Sequence, residues 1–343
     1  MLVRRRPTLE DVARLANVSS ATVSRVVNRR AGVDESKRVA VQAAIDQLGY
    51  RTSRIGRALA LKKTNTVALI ISDITNPFFS EIAQAVEDGA IARGYMALVS
   101  SVSEAVPTTR NAAYTLLDHG IDGLIIAAAR PGDSYLAELQ NQGIPVVVLN
   151  RREPPFSDPY IGTDCRAGGQ LVVQHLAELG HTRIAHVAGP SVIAPNEQRI
   201  RGYFDGIGAA GFDYARVLHV PDHSPDAGRA AGAELLKDRQ PPTAIFAVND
   251  YCALGVIDAV ERAGLRVPND IAVVGYDDTW IARLPRIQLT SVTSWMAEMA
   301  ESGINLLLDL IEQNKVYAPS IIRPPELRVR RTCGGSVSGS SGS

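Results

Sequence analysis

Over the first fifty residues apolar positions recur at helical spacing; beyond residue 65 they gather into short unbroken runs. The spacing predicts three short N-terminal helices. Thr8 stands as the N-cap of the first, with Asp11 three residues on in the manner of a capping box, and Ser19 caps the second. Asn17, between them, suits the left-handed residue of a tight turn. Val12, Ala13, Val18, Val23 and Val27 are the expected small core. A third helix runs from a cap at Asp34 to Leu48, where Gly49 stops it. Two short helices joined by a tight turn form the geometry that places one helix in the major groove of DNA. Residues 50–63 are basic, lack a wide apolar face, and read as a linker with latent helical character.

From Thr66 the pattern becomes β then α, repeatedly. Apolar runs at 66–71, 95–100, 123–127 and 145–149 alternate with helical segments near 79–93, 108–119 and 133–142. A second series has runs at 183–188, 216–220, 243–248 and 271–275, with helices near 197–210, 226–238 and 250–263. Continuous Val/Ile/Leu runs bounded by Gly and Pro indicate parallel strands buried on both faces. A final helix near 296–313 and a strand near 326–331 complete the pair. The expected architecture is an all-α helix-turn-helix domain (1–49), a hinge (50–63), and an α/β core (64–332) of two doubly wound parallel-sheet subdomains. The first subdomain takes roughly 64–163 plus 294–320, the second 164–293 plus 321–332. A disordered Gly/Ser tail is expected over 333–343, and a ligand cleft between the subdomains at the carboxyl ends of the strands.

Formal charge is zero over 343 residues, but it is unevenly placed. Residues 1–63 hold 14 Lys and Arg against 5 Asp and Glu; the remaining 280 hold 22 against 31. A basic head on an acidic body fits a polyanionic partner at one end only. Cys165, Cys252 and Cys333 lie far apart without metal-ligand spacing, which predicts reduced thiols and no metal. No apolar stretch approaches the roughly 18–20 residues of a membrane span. The Arg-rich start, followed by a polar helix, is not a secretory signal. A soluble, cytoplasmic protein with no membrane partner is expected. No P-loop, nucleophile elbow or supported carboxylate dyad is present, and His181 and His186 should fall on opposite faces of a strand. The expectation is therefore no enzyme and no cofactor.

Four segments carry a family resemblance: Asp11-Val-Ala13, Thr22-Val-Ser-Arg-Val-Val-Asn28, Leu48-Gly-Tyr50 and Asp73-Ile-Thr-Asn-Pro-Phe-Phe79. With them the chain resembles the LacI/GalR-type transcriptional regulators from about residue 8 to 332. Its body alone equally resembles a periplasmic sugar-binding protein. The resemblance implies a sequence-specific regulator, with repression the expected outcome. It would bind a palindromic double-stranded DNA operator as a homodimer, its affinity modulated by a sugar or sugar-like effector in the core cleft. Control of the same regulator by a protein co-repressor is the alternative. A solute-binding protein for uptake leaves the basic head unexplained.

Positions 20, 21, 24, 25 and 28 share one face of the second helix, and all but Arg25 are small or polar. Arg25 is the long donor suited to guanine O6 and N7. Ser20 and Ala21 resemble the family's two main base-reading positions, whereas Ser24 and Asn28 suit phosphates and so set register. Thr8, Ser19 and Thr22 have both a phosphate-contact and a capping or packing reading. Tyr50 to Leu59 resembles the family's hinge helix, which folds on the operator. Arg54 lies in it as a further DNA contact, and Leu59 matches the family's minor-groove wedge. The chain departs from the usual Pro-Asn with Thr52-Ser53. It also places Gly56 in this helix, at a cost of roughly 1 kcal/mol relative to alanine.

In the body, Asn76-Pro-Phe-Phe79 lies where the first strand gives way to a helix. There Phe78 suits stacking on a sugar C–H face, and Phe79 suits packing. Arg199 matches the family's cleft arginine. Asn249 and Asp277 end strands and supply fixed hydrogen bonds to a polyhydroxylated ligand, with Asp250 a candidate helix cap; Asn150, ending the fourth strand, is of the same kind. Ser294 and Trp295 stand where relatives often carry glutamine and proline. Ser294 is still placed in the site, although its shorter side chain removes one ligand contact.

Overall fold

The computed structural model describes residues 7–27, 30–50, 63–102, 108–151, 159–313 and 320–335, in two compact units that divide between Thr64 and Asn65. The first unit holds α1 (Leu9–Leu15), α2 (Ser20–Val27) and α3 (Glu35–Leu48). Thr8 and Asp11 close the capping box: the Asp11 N–H donates to Thr8 Oγ1 at 3.3 Å, and the Thr8 N–H donates to Asp11 Oδ2 at 2.9 Å. Asn17 makes the turn with φ +50°, and Gly49 ends α3 with φ +62°, a conformation that costs glycine nothing. The core is Val12, Ala13, Val23, Val26, Val41 and Ala44. Val26 takes the buried place expected of Val27; Val18 and Val27 pack at its edge. The periodicity of α2 alone left that choice to α3, which supplies the opposing Val41.

The second unit is built on two six-stranded sheets. The first has the order β11-β5-β4-β3-β1-β2, from β1 (Thr66–Ile71), β2 (Met96–Ser101), β3 (Gly123–Ile126), β4 (Val146–Leu149), β5 (Tyr160–Thr163) and β11 (Ile321–Arg323). The second has the order β12-β10-β9-β8-β6-β7, from β6 (Ile184–Ala188), β7 (Arg216–His219), β8 (Ala244–Ala247), β9 (Ala272–Asp277), β10 (Thr290–Thr293) and β12 (Glu326–Arg328). All neighbours run parallel except β10 and β12. The strand order reverses beside β1 and beside β6, the switch points at which open α/β sheets leave a crevice beyond their carboxyl ends.

Helices α4 (Pro77–Ala92), α5 (Thr109–Asp118), α6 (Tyr135–Asn141) and α11 (Met296–Gln313) cover the first sheet. Helices α7 (Cys165–Glu178), α8 (Ala194–Ala210), α9 (Pro225–Leu235) and α10 (Asp250–Arg262) cover the second. A Cβ at Gly202 would run into the Arg166 carbonyl, so glycine there lets α7 and α8 pack backbone to backbone. The chain passes between the sheets three times: from β5 into α7, from β10 into α11, and from β11 into β12.

Two expected boundaries change. β11 pairs with β5 (Ile321 beside Ile161), so 321–323 belong to the first sheet, not with the second subdomain. Its three residues are too short for the apolar pattern to assign. Nor does the tail begin at 333: Arg331–Cys333 form a 3-10 turn with Thr332 and Cys333 buried. The Thr332 hydroxyl donates to the Val273 carbonyl at 2.7 Å and fastens this turn to β9. Among the described residues no helix is long and apolar enough to cross a membrane.

Candidate functional site

In the first unit, burial of Val23 and Val26 turns the opposite side of α2 outward. Ser20, Ala21 and Arg25 are exposed there, while Thr22 and Ser24 are half-buried. The Ser19 hydroxyl accepts the Thr22 N–H at 3.2 Å and lies 2.9 Å from Thr22 Oγ1; the Thr8 hydroxyl donates to Asp11 Oδ2 at 2.8 Å. Both caps therefore hold their hydroxyls at a helix start. Asn28, Arg54, Gly56 and Leu59 lie outside the described residues.

In the second unit, the carboxyl ends of the strands frame a cleft. From the first sheet come Asn76, Phe78, Phe79, Asn150 and Arg151; from the second come Asn196, Arg199, His223, Asn249 and Asp277. Seven of the eight expected cleft residues are thus brought together. Pro77 at the first turn of α4 and Asn76 as its N-cap, which accepts the Phe78 N–H at 3.1 Å, fix the entry of the aromatic pair. Phe78 and Phe79 meet edge to face with centroids 5.0 Å apart, and the Arg151 guanidinium lies 5.3 Å from the centre of the Phe79 ring. Phe79 therefore both packs in the core and lines the cleft.

Arg199 projects from α8 and is almost wholly buried. Its Nη1 donates to the Val248 carbonyl at 2.8 Å, Nη2 lies 3.4 Å from Asp277 Oδ1, and the guanidinium stands 3.8 Å over the Tyr276 ring. Its Nε–H has no partner among the described residues. Burial pushes the Asp277 carboxyl above its ordinary range, opposed by the Arg199 charge and the Ser294 hydroxyl. Asp277 has φ +103° and Asn150 φ +61°. Such backbone costs of order 1–3 kcal/mol in non-glycine residues and concentrates at functional sites. Here it aims two strand-terminal side chains at one space.

Two expectations are corrected. Ser294 does not line the cleft; its hydroxyl donates to Asp277 Oδ1 at 2.9 Å, and its carbonyl accepts from Thr163 at 3.0 Å. It stands at a crossover between the sheets and positions Asp277 from behind. Asn249, not Asp250, caps α10, accepting the Cys252 N–H at 2.9 Å. Asp250 turns inward instead: Oδ2 accepts the Thr279 N–H at 2.7 Å and its hydroxyl at 3.0 Å, and Oδ1 lies 2.5 Å from Ser291 Oγ. Burial pushes its carboxyl up to about 8.

Arg151, Asn196 and His223 were not foreseen. Arg151 had a signal, being next to Asn150 at a strand end. Asn196 and His223 come from a helix start and a loop with no periodicity, and they meet through Asn196 Nδ2 and His223 Nε2 at 3.3 Å.

Glu81 on α4 joins the two halves beyond the cleft. Its carboxylate accepts the Trp280 N–H at 2.8 Å and lies 3.2 Å from Arg283 Nη2. Glu81→Ala in a Trp295→Phe background is expected to red-shift Trp280 emission while costing less than about 1 kcal/mol of stability, since the pair is partly exposed. Unshifted emission would count against a link that orders this segment. Among the described residues no group of acidic, His and Cys side chains could hold a metal.

A head with a helix-turn-helix and a two-sheet body with a polar, aromatic-walled cleft define the class of DNA-binding transcriptional regulators. The lacI family of bacterial regulatory proteins matches residues 8–53, and the periplasmic binding protein-like domain matches 173–333. The chain is 34% identical to the HTH-type transcriptional regulator GalR of Escherichia coli over 92% of its length and 94% of that protein's. It is 35% identical to the CelR regulator of Thermobifida fusca, over 96% and 99%. The lac repressor dimer bound to operator and the anti-inducer ONPF superposes with a TM-score of 0.87 at 30% identity, covering 96% of this chain and 99% of that one. The chain belongs to the LacI family.

Proposed function

We propose that the protein is a repressor that binds a palindromic operator as a homodimer through α2, with a sugar-like effector in the cleft shifting its operator affinity. The observation that carries the first half is the outward face of α2. Its small residues, Ser20 and Ala21, leave room for base edges beside the single long donor, Arg25. Two-fold symmetry follows because one such helix reads half a site. The hinge reading of Arg54, Gly56 and Leu59 belongs to the same proposal.

The cleft supports the second half. Hydrogen-bonding groups from both sheets converge beside two aromatic rings, an arrangement suited to hydroxyls on one face of a ring and C–H groups on the other. The CelR regulator has been solved with cellobiose, and a LacI-family regulator from Enterococcus faecium with ribose. An effector acts by binding one arrangement of the two sheets more tightly than another, which alone shifts an equilibrium.

Selection of genomic fragments by the purified protein at moderate salt tests the reading. A roughly palindromic enriched site is expected, with log affinity falling steeply against log salt. Failure to enrich any site, with and without a panel of sugars, would remove it. Arg25→Ala is expected to cost about 1–3 kcal/mol on the selected site and to relax discrimination at one guanine. Measured by anisotropy, an equal loss on every duplex would instead mark Arg25 as a phosphate contact.

A further inference from the structure

Among its described lining residues the cleft carries more positive than negative charge. Arg151 and Arg199 line it, with His223, and Asp277 is the carboxylate that faces them. Arg151, Arg199 and Asp277 are only 5%, 4% and 4% exposed. Guanidinium groups stay protonated at any ordinary pH, whereas a buried carboxyl is drawn toward its neutral form. The described lining therefore holds an excess of at least one positive charge. A site shut off from water favours a ligand that balances its charge, because buried charge is tolerated chiefly in opposite pairs.

These cations are divided between the two walls. Arg151 belongs to the first sheet, just past β4, where its N–H donates to the Leu149 carbonyl at 2.6 Å in a three-residue turn. Its guanidinium lies 5.3 Å from the centre of the Phe79 ring, so it sits beside the aromatic wall. Arg199 and His223 belong to the second sheet's half. Arg199 gives one N–H to the Val248 carbonyl and reaches Asp277 only at 3.4 Å. Its buried Nε–H has no partner among the described residues. Burial raises the Asp277 carboxyl, and Arg199, His223 and Arg151 all oppose that rise, so all three lie within electrostatic reach of one point in the cleft.

We propose, resting on the effector reading above, that the effector is an anionic sugar derivative, a sugar acid or a sugar phosphate. Its charged group sits between Arg151 on one wall and Arg199 and His223 on the other. A guanidinium presents paired N–H donors that match the paired oxygens of a carboxylate or phosphate. The sugar ring lies against Phe78 and Phe79, with Asn76 and Asn249 toward its hydroxyls. The anion also couples binding to the arrangement of the two sheets. On their own, like charges on facing walls repel and favour separation. An anion between them reverses the sign and draws the walls together. A neutral sugar makes the hydroxyl contacts but leaves the repulsion in place, so it discriminates less between the two arrangements.

The test is calorimetric titration of the full-length protein, at fixed ionic strength, with matched charged and neutral sugars. The charged set is glucuronate, galacturonate, gluconate, and glucose and galactose phosphorylated at the primary hydroxyl; the neutral set is glucose, galactose and glucuronamide. At least one charged member is expected to bind at least about tenfold more tightly than its neutral counterpart. Preference for the acids or for the phosphates tells which anion the cleft takes. Arg151→Gln is expected to lower the charged-to-neutral preference by about tenfold, and Arg151→Lys, which keeps the charge without the fork, to retain part of it. If Arg151→Gln unfolds the protein, the charged-to-neutral ratio of the unaltered chain decides. Neutral sugars bound more tightly than every charged one, or a folded Arg151→Gln protein with its preference intact, would overturn the charge assignment and leave the effector reading standing. Binding of no member of either set would overturn both.

Discussion

Replacing Arg199 with alanine is expected to abolish the response of operator binding to effector while leaving operator binding itself in place. The guanidinium sits in the cleft against Asp277, the Val248 carbonyl and the Tyr276 ring. Removing it deletes the cation beside a buried carboxylate and leaves a void over an aromatic face. Breaking one side of a buried pair costs about 3–5 kcal/mol, because the remaining charge has no compensation. Asp277, already pushed toward its neutral form by burial, would take up a proton. Effector affinity should fall by at least about a hundredfold, since groups arranged for hydroxyls lose a charged donor. Arg199→Lys restores charge without the planar fork and is expected to recover stability more than affinity. Anisotropy of a labelled operator with titrated effector, beside a melting curve, separates the two effects. An Arg199→Ala protein that still releases operator at unchanged effector concentration would remove Arg199 from the site.

The second large effect concerns Asp250, which lies behind the cleft instead of in it. It ties Thr279, just past β9, to Ser291 on β10, so the backbone that presents Asp277 is held from both sides. Asp250→Ala leaves those donors without an acceptor in a dry interior. It is expected to cost about 3 kcal/mol or more by denaturant melts. Its pH dependence has a definite sign. The folded carboxyl titrates near 8, above the ordinary 3.8, so its contribution is fully present below about pH 4. That contribution is lost as pH rises through 8, when the fold must bury a charge. Asp250→Asn keeps shape and neutrality, with an amide donor able to face Ser291. It should therefore flatten the fall in stability between about pH 4 and 8. Parallel slopes in the two proteins would show that Asp250 is ionised throughout.

The alternation of strands and helices was readable because parallel strands buried on both faces leave runs such as Thr66–Ile71 that nothing else explains. β10 was not readable. Its Thr290-Ser-Val-Thr293 looks like loop, yet all four residues are buried. The hydroxyls are satisfied by partners far along the chain: Thr290 by Arg330 and Ser291 by Asp250. Pattern reports solvent against oil; it does not report a polar strand whose partners lie forty residues away. The same limit governed the cleft. Asn150, Asn249 and Asp277 were visible because strand ends are where such folds place ligands, and Arg199 because the family places one there. His223 comes from a loop after β7, and only the packing of α8 against that loop brings it beside Asn196. Ser294 misled for the opposite reason: its position along the chain was right, but the crossover turns it behind Asp277. Trp295, its neighbour, adopts φ +52° and donates its indole N–H to the Pro324 carbonyl at 2.8 Å, so one crossover is stitched to another.

Three passages of the chain between the sheets mean that neither half of the body is a contiguous stretch of sequence. A protease that nicks any one passage should leave two fragments still held together, because the downstream fragment always carries a strand that a sheet of the upstream one requires. No fragment that ends between β5 and β11 contains a complete half. Gene fragments ending there should give insoluble product, whereas the three-helix head, wholly upstream of residue 65, lies outside that constraint.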